Sequence, residues 1–103
     1  MFNIITRRTL NEYCREYPDD ANALKKWYYE LRSQSFKSAN DLKEVYKNAS
    51  ILQDNRVVFN ICGNKYRLLV RINYQYKAIQ IKWFGTHNEY DRINVLTIFY
   101  KKP

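Results

Sequence analysis

The residues best suited to acid–base chemistry lie close together near the C-terminal end of the chain. The segment Thr86-His87-Asn88-Glu89-Tyr90-Asp91 holds the only histidine of the 103 residues, together with two carboxylates and a tyrosine. Histidine titrates near neutral pH without any perturbation, so His87 is a candidate for proton transfer. Tyr90 can orient a substrate or assist that transfer. Asp91 is expected to orient a neighbour, because a carboxylate repels an anionic substrate.

An arginine beside these groups completes the set that cleaves RNA without a metal. In that reaction a ribose 2′-hydroxyl attacks the adjacent phosphorus, one group removes its proton, and another protonates the leaving 5′-oxygen. An arginine holds the phosphate through paired hydrogen bonds and stabilises charge in the transition state. The alternative is structural: His87 caps or hydrogen-bonds a short helix and takes no part in catalysis.

The second half of the chain must position these residues, and its pattern is typical of β-structure. Its β-branched and aromatic residues predict three strands, at Arg56–Cys62, Tyr66–Tyr74 and Lys77–Phe84. Gly63-Asn64 lies where a two-residue hairpin turn is expected, because glycine tolerates the positive φ of a type II′ turn. The strands therefore predict a small antiparallel sheet.

Side chains alternate along a strand, so each strand presents two faces. The aliphatic face of the last two strands is predicted to hold Leu68, Val70, Ile72, Ile79, Ile81 and Trp83. The opposite face is predicted to hold Arg67, Leu69, Arg71, Asn73, Gln80, Lys82 and Phe84. The aliphatic face packs on helices. The other face is basic, and it either follows an RNA backbone or is simply a solvated surface.

The first half of the chain is predicted to be helical after a short strand at Phe2–Ile5. Two segments repeat apolar residues at helical spacing, namely Leu10, Tyr13, Cys14 and Tyr17, and then Leu24, Trp27, Tyr28 and Leu31. We expect Thr6 to cap the first helix, Pro18 to end it, and Asp19 or Asp20 to cap the second. Ser38 with Asp41 predicts the cap of a short third helix that carries Leu42, Val45 and Tyr46.

These elements predict one α+β domain that spans residues 1–103. The connection between the first two helices is so short that they form a hairpin. This helical hairpin packs on one face of the small antiparallel sheet, and the basic face stays open.

The charge of the chain is unevenly distributed. The chain carries 18 Lys and Arg against 10 Asp and Glu, a net charge of +8, and residues 56–103 hold nine basic side chains but only two acidic ones. Such an excess favours a polyanionic partner, either nucleic acid or an acidic protein. Aromatic residues make up 17% of the chain. Rings among basic side chains suit stacking on the bases of single-stranded RNA.

Composition also argues against several classes of protein. Cys14 and Cys62 are far apart, and the chain has one histidine, so neither a disulfide framework nor a zinc site is expected. No apolar run approaches the ~20 residues of a membrane span. Arg7 and Arg8 come too early for the apolar region of a signal peptide. We therefore expect a cytoplasmic protein with no membrane association, no metal and no cofactor.

Three segments carry a resemblance to a known family. They read ITRRTLNEYCREYP (residues 5–18), VFNICGNKYRLLVRINY (residues 58–74) and FGTHNEYDRI (residues 84–93). They resemble the HigB family of bacterial type II toxins, within the RelE-like group of mRNA-cleaving toxins. The chain departs from that pattern at Cys62, where a second small residue is expected, and over Asn94–Phe99, which is more apolar than expected.

The resemblance implies a fold, an activity and a partner. It implies a RelE-like α+β toxin that inhibits translation and growth by cutting mRNA on the translating ribosome, without a metal. It also implies a separate HigA-type antitoxin with a helix-turn-helix domain, which neutralises the toxin and joins it in repressing their operon.

Under this interpretation the predicted site has two parts. The catalytic part consists of Arg67 for phosphate binding and transition-state charge, His87 for proton transfer, and Tyr90 for orientation or assistance. The RNA-binding part consists of Asn64, Lys65, Tyr66, Arg71 and Lys82. The assignment of general acid and general base stays open at this point, as do codon preference and oligomeric state.

Two other functions fit the same residues. A non-catalytic RNA- or ribosome-binding module would use the basic face and would not need His87. A protein-interaction domain would place the basic face against an acidic partner. Both alternatives predict that the protein cuts no RNA in a translating extract.

Overall fold

A computed structural model of the chain describes residues 2–4, 7–63 and 65–93. The helices are α1 (Arg7–Glu16), α2 (Ala21–Arg32), α3 (Ala39–Val45) and α4 (His87–Tyr90), with one 3-10 turn at Pro18–Asp20 between α1 and α2. The strands are β1 (Asn3–Ile4), β2 (Ser50–Ile51), β3 (Arg56–Ile61), β4 (Tyr66–Asn73) and β5 (Ala78–Thr86). The three long strands confirm the predicted ones to within two residues at each end. The short strand β2 was not predicted.

The strands form one sheet with the order β1-β5-β4-β3-β2. The pairs β2–β3, β3–β4 and β4–β5 are antiparallel, which confirms the α+β class and the antiparallel sheet. Strand β1 adds a parallel edge, because Asn3 pairs with Ala78 and Ile4 with Ile79 of β5. The parallel direction is possible because α1 to β4 lie between the two strands in sequence, long enough for a crossover.

The helical layer packs on one face of this sheet, as the apolar spacing predicts. The core joins buried residues of α1 and α2 to those of the strands, among them Leu10, Leu24, Leu31, Leu68, Val70, Ile79 and Ile81. Aromatic rings make much of the contact: Trp27 meets Phe59 edge-on at 5.5 Å between ring centroids, and Tyr13 lies 5.0 Å from Phe84. In the part of the chain that the structure describes, no helix has the length and apolarity needed to cross a membrane.

The predicted helix caps have mixed outcomes. The Ser38 hydroxyl accepts a hydrogen bond from the Asp41 backbone N–H at 3.4 Å, which confirms the cap of α3. The cap predicted for α2 is wrong, because Asp20 occupies the N-cap position but makes no side-chain cap bond. Its carboxylate turns instead toward the β3–β4 turn. Thr6, the predicted cap of α1, and Ile5, the predicted end of the first strand, lie outside the described residues.

The turn between β3 and β4 lies where the glycine predicts it. Gly63 has φ of +65°, and the backbone N–H of Lys65 donates to the Cys62 carbonyl at 3.2 Å. Cys62 also has a positive φ, of 55°, and Ile61 pairs with Tyr66, so four residues connect the strands. The position of the predicted turn is confirmed, but the predicted two-residue type II′ form is wrong, because the strand pairing ends one residue before Cys62. Asn64, the second residue of the predicted turn, lies outside the described residues.

An irregularity in β5 changes which side chains face the helices. Leu69 pairs with Trp83 but Val70 pairs with Ile81, so Lys82 is an extra residue in β5. Such a β-bulge reverses the side-chain alternation beyond it. The predicted faces of Trp83 and Phe84 are therefore wrong: Phe84 pairs with Leu68 and lies in the core, and Trp83 lies on the opposite face.

The core position that the bulge gives to Phe84 predicts how much this ring contributes to stability. Phe84→Ala should lower the free energy of unfolding by about 3–5 kcal/mol, because it removes a buried ring from the core. Urea unfolding of both proteins measures the difference. Ile51→Ala, at a side chain that is 41% exposed on β2, is the control and should stay within about 0.5 kcal/mol. A loss below about 1 kcal/mol for Phe84→Ala would mean that the ring lies on the exposed face, as simple alternation predicts.

Candidate active site

The face of the sheet away from α1 and α2, here called the outer face, carries the predicted catalytic arginine. Leu68, Val70 and Ile72 belong to the core, so Arg67, Leu69 and the other odd-numbered residues of β4 point to the outer face. Arg67 is partly buried, and its Nη1 donates to the Tyr66 carbonyl at 3.2 Å. Across the ladder Arg67 pairs with Gly85 of β5. Arg67 therefore lies beside the C-terminal end of β5, next to α4.

Gly85 leaves room for an aromatic ring beside Arg67. A Cβ at this position would come within 2.7 Å of two carbons of the Trp83 indole, so that indole lies over the glycine. The Trp83 and Tyr90 rings are 6.2 Å apart between centroids. Burial raises the pKa of Tyr90, and the nearby charge of Arg67 opposes that rise. Arg67, Trp83 and Tyr90 thus form one cluster over Gly85.

The helix α4 begins with a capping box that does not use its histidine. The Thr86 hydroxyl accepts from the Glu89 N–H at 3.2 Å, and the Glu89 carboxylate accepts from the Thr86 N–H at 2.8 Å. These two residues satisfy the helix N-terminus together. His87 is exposed at the first position of α4. His87 is therefore not the cap of this helix, and that part of the structural alternative is wrong.

Backbone contacts hold α4 against the β3–β4 turn. The His87 N–H donates to the Lys65 carbonyl at 3.1 Å, which joins α4 to the turn. Within α4, the Asp91 N–H donates to the His87 carbonyl at 3.4 Å. His87 and Tyr90 are three residues apart in α4, a spacing that places two side chains on the same side of a helix. The structure therefore brings His87, Tyr90 and Arg67 to one end of the sheet.

Asp20 is a functional candidate that the sequence pattern did not reveal. Its side chain is only 11% exposed, and its Oδ2 accepts from Lys65 Nζ at 3.3 Å. The Cys62 thiol donates to its Oδ1 at 3.3 Å. A hydrogen bond from Tyr66 is the main cause that lowers the pKa of Asp20, with Cys62 and Lys65 adding to it. An aspartate between a proline and a helix is typical of a helix cap. The local sequence therefore did not indicate that Asp20 contacts the β3–β4 turn.

The structure removes two residues from the predicted RNA-binding set because they are buried. The Tyr66 ring stacks on Phe84 with 5.2 Å between centroids and meets Tyr17 edge-on, so it offers no face to RNA. Lys82 is only 6% exposed, and burial, followed by the charges of Arg56 and Arg71, lowers its pKa. The expectation of an exposed Tyr66 and an exposed Lys82 is wrong for these physical reasons.

The other predicted RNA-binding residues have different surroundings. The Lys65 side chain is 59% exposed, and its pKa is raised by the hydrogen bond to Asp20. Arg71 is exposed and forms an ion pair with Asp54, with Nη2 at 3.0 Å from Oδ1. Arg71 lies four residues from Arg67 on β4, about 13 Å at ~3.3 Å per residue. Arg71 therefore does not belong to the cluster around His87, and Asn64 lies outside the described residues.

Comparison with known protein families identifies the family of the chain. Residues 20–93 match the HigB toxin family, described as the RelE-like toxic component of a toxin-antitoxin system. The chain belongs to the HigB toxin family. This confirms the resemblance seen in the sequence. The matched range includes Asp20, Lys65, Arg67, Trp83, His87 and Tyr90. Membership of a toxin-antitoxin family also implies an antitoxin as the partner of this HigB-family chain.

Individual relatives are similar over most of the chain. The mRNA interferase HigB of Escherichia coli O6:H1 is 28% identical over 97% of this chain and 96% of its own length. The mRNA interferase toxin HigB of Escherichia coli K12 is 26% identical over 86% of this chain and 88% of its own length. The mRNA interferase HigB of Shigella flexneri matches to the same extent.

The Asp20 contacts predict a pH-dependent contribution to stability. The pKa of Asp20 is lowered in the folded protein, so its carboxylate stabilises the fold above the pKa of an unfolded aspartate, about 3.9. That contribution is lost as the pH falls through the lower folded value. Asp20→Asn should therefore unfold at a lower urea concentration than the wild type at neutral pH, and the gap should close in acid.

Urea unfolding at a series of pH values measures this gap. Asp19→Asn, at the exposed neighbouring aspartate, is the control and should follow the wild type throughout. A gap for Asp20→Asn that stays constant below about pH 3 would show that the charge of Asp20 is not what stabilises the turn.

Proposed function

We propose that this HigB-family toxin is an mRNA interferase, a ribosome-dependent endoribonuclease that acts in the cytoplasm and inhibits translation and growth. The names of its relatives support mRNA as the substrate. The observation that carries the proposal is the exposed position of His87 in α4, three residues before Tyr90 and at the end of the sheet that holds Arg67, while Thr86 and Glu89 cap the helix. A histidine that the fold does not use as a cap is available to a substrate.

Arg67 binds the scissile phosphate in this proposal. Its guanidinium has five N–H donors in a planar fork, which suits two oxygens of a phosphate. Its positive charge stabilises the negative charge that grows on the non-bridging phosphate oxygens as the 2′-oxygen attacks. Gly85 and Trp83 support this role, because the indole over the glycine flanks the arginine on the outer face.

His87 and Tyr90 divide the proton transfers. His87 takes the proton of the ribose 2′-hydroxyl as that oxygen attacks the adjacent phosphorus. A tyrosine phenol is protonated at neutral pH, so Tyr90 donates toward the leaving 5′-oxygen. Asp91, at the end of α4, orients its neighbours and does not react. The mechanism uses no metal and ends in a cyclic phosphate on the 5′ fragment.

Lys65 and Asn64 hold RNA at the β3–β4 turn, and Arg71 continues along its backbone. The Lys65 ammonium is charged and more than half exposed, so it can contact a phosphate while Asp20 holds its other side. The affinity for RNA should fall as the salt concentration rises, because each phosphate that the protein neutralises releases counterions.

The partner antitoxin is proposed to be of the HigA type, with a helix-turn-helix domain and a share in repressing the operon. The net charge of +8 favours an acidic surface on that partner, since complementary charge speeds association. We infer that the antitoxin covers the outer face or otherwise denies it to the ribosome.

Cleavage in a translating extract separates this proposal from a binding module. The wild-type protein should create new mRNA 5′ ends only while ribosomes translate, and mapping of those ends measures this. Arg67→Ala should reduce the cleavage rate by about 10²–10³, because one charge contact in the transition state is lost. Arg32→Ala, at an exposed arginine of α2, is the control and should cleave like the wild type.

Two results would contradict this proposal. If the wild-type protein binds ribosomes and creates no new ends, the non-catalytic alternative is correct. If Arg67→Ala, shown to be folded by its melting temperature, still cleaves at the wild-type rate, Arg67 is not the phosphate-binding residue.

The role of His87 requires a measurement of chemistry apart from binding. His87→Gln should retain ribosome binding but slow single-turnover cleavage by about 10²–10⁴, because glutamine hydrogen-bonds but does not titrate. Asn88→Ala, at the exposed next residue of α4, should stay close to the wild-type rate. A near-normal rate for His87→Gln would assign the proton transfer to Tyr90 or Lys65 and leave the ribonuclease proposal intact.

A further inference from the structure

A second concave site lies on the sheet at the end of β4 away from α4. It is a cavity of about 270 Å³, and its lining includes Asn55, Arg71, Asn73, Tyr76 and Gln80. An aromatic ring, a cation and several amides are the groups that bind an unstacked nucleotide. We call this cavity the Tyr76 pocket. None of its residues except Arg71 belongs to the predicted site.

Tyr76 presents its ring to solvent from an ordered turn. The residue is 75% exposed. Its backbone N–H donates to Asn73 Oδ1 at 3.0 Å, which fixes the turn between β4 and β5. Burying the ring against a base stabilises a complex, and a turn that is already ordered loses little freedom on binding.

The opposite wall of the pocket is held in place as well. The Ile72 N–H donates to the Asn55 carbonyl at 2.9 Å, which ties the turn before β3 to β4. Arg71 Nε donates to the Asp54 carbonyl at 3.2 Å and Nη2 to Asp54 Oδ1 at 3.0 Å. These bonds use two of the five N–H donors of the guanidinium. The Arg71 side chain is oriented by Asp54 and still has donors for a phosphate.

Gln80 adds a group that can bind a base edge. It pairs with Arg71 across the β4–β5 ladder and is exposed. An amide has both a donor and an acceptor, so it can bond the edge of a base whose face lies on a ring.

The pocket and the candidate active site lie at opposite ends of the same face of β4. Arg67 and Arg71 share the outer face of β4, about 13 Å apart at ~3.3 Å per residue. At the ~3.4 Å spacing of stacked nucleotides in one strand, this separation corresponds to about four nucleotides, and to fewer in an extended strand. One RNA strand can therefore reach both sites.

We propose that the Tyr76 pocket binds one unstacked nucleotide of RNA, with the base on the Tyr76 ring, the phosphate on Arg71 and the base edge on Gln80. The inference rests on the proposed function, because it assumes that RNA lies along the outer face. The nucleotide comes from the strand that is cut or from ribosomal RNA, since both present the same chemistry.

The deciding measurement is the cleavage kinetics of a matched set of tyrosine variants on mRNA-programmed ribosomes. Tyr76→Ala should raise KM by about 5- to 150-fold, the range measured when a stacking ring is removed, and leave kcat within about twofold. Tyr76→Phe keeps the ring and should restore the wild-type KM. Tyr29→Ala, at a tyrosine of α2 that is 57% exposed, is the control and should leave KM unchanged.

Two binding measurements separate this inference from the proposed function. Binding to a ten-nucleotide 2′-O-methyl RNA, which has no nucleophilic hydroxyl, should weaken in Tyr76→Ala and stay at the wild-type level in Tyr29→Ala. Binding to vacant ribosomes identifies the source: a loss there assigns the nucleotide to ribosomal RNA, and a loss only on programmed ribosomes assigns it to mRNA.

The outcomes are distinct. If the wild type cleaves and Tyr76→Ala has the same KM and the same RNA affinities, the pocket inference is overturned while the proposed function stands. If Tyr76→Ala loses RNA affinity but the wild type never cleaves, the pocket stands and the endoribonuclease proposal is wrong. If the variant loses affinity for the antitoxin alone, the pocket is a protein contact and the inference is overturned.

Discussion

The single extra residue in β5 determines which side chains reach the candidate active site. Without the bulge at Lys82, strict alternation would turn the Trp83 indole into the core and the Phe84 ring out of it. With the bulge, Phe84 packs under the helices against Tyr13, and the indole lies over Gly85 beside Arg67. Core packing and site geometry thus depend on the same irregularity, because a register shift in a sheet moves every side chain beyond it to the other face.

The helical layer and the site are connected through the buried carboxylate of Asp20. This residue ends the 3-10 turn before α2, yet its partners Cys62, Lys65 and Tyr66 all belong to the β3–β4 turn or its edge. The carbonyl of Lys65 in turn receives the N–H of His87. One ion pair and one backbone hydrogen bond thus connect the junction of α1 and α2 to α4.

Arg56, Arg71 and Lys82 bring positive charges close together on the outer face. Arg56 and Arg71 are close enough to Lys82 that their charges, together with burial, lower its pKa, and Asp54 opposes this. Arg56 and Lys82 are both buried. Like charges held together on one face favour the approach of a polyanion, because bound phosphates relieve the repulsion. The burial of Lys82 means that it contributes to this field from beneath the surface, whereas Arg71 and Lys65 are exposed to a ligand.

The sequence by itself determined the features that depend on neighbouring residues. Apolar spacing predicts α1 and α2, alternation and β-branching predict β3 to β5, and Gly63 predicts a turn with positive φ. The excess of positive charge in residues 56–103 is equally visible in the sequence.

Only the tertiary structure decided the features that depend on residues far apart in the chain. The bulge depends on how β5 pairs with β4 and packs on the helices, so the local sequence around Lys82 does not predict it. The Asp20–Lys65 pair spans 45 positions, and the Tyr76 pocket joins the turn at Asn55 to the turn at Tyr76. A residue type and its spacing predict a local conformation. Burial, ion pairing and the meeting of two turns depend on which segments the folded core brings together.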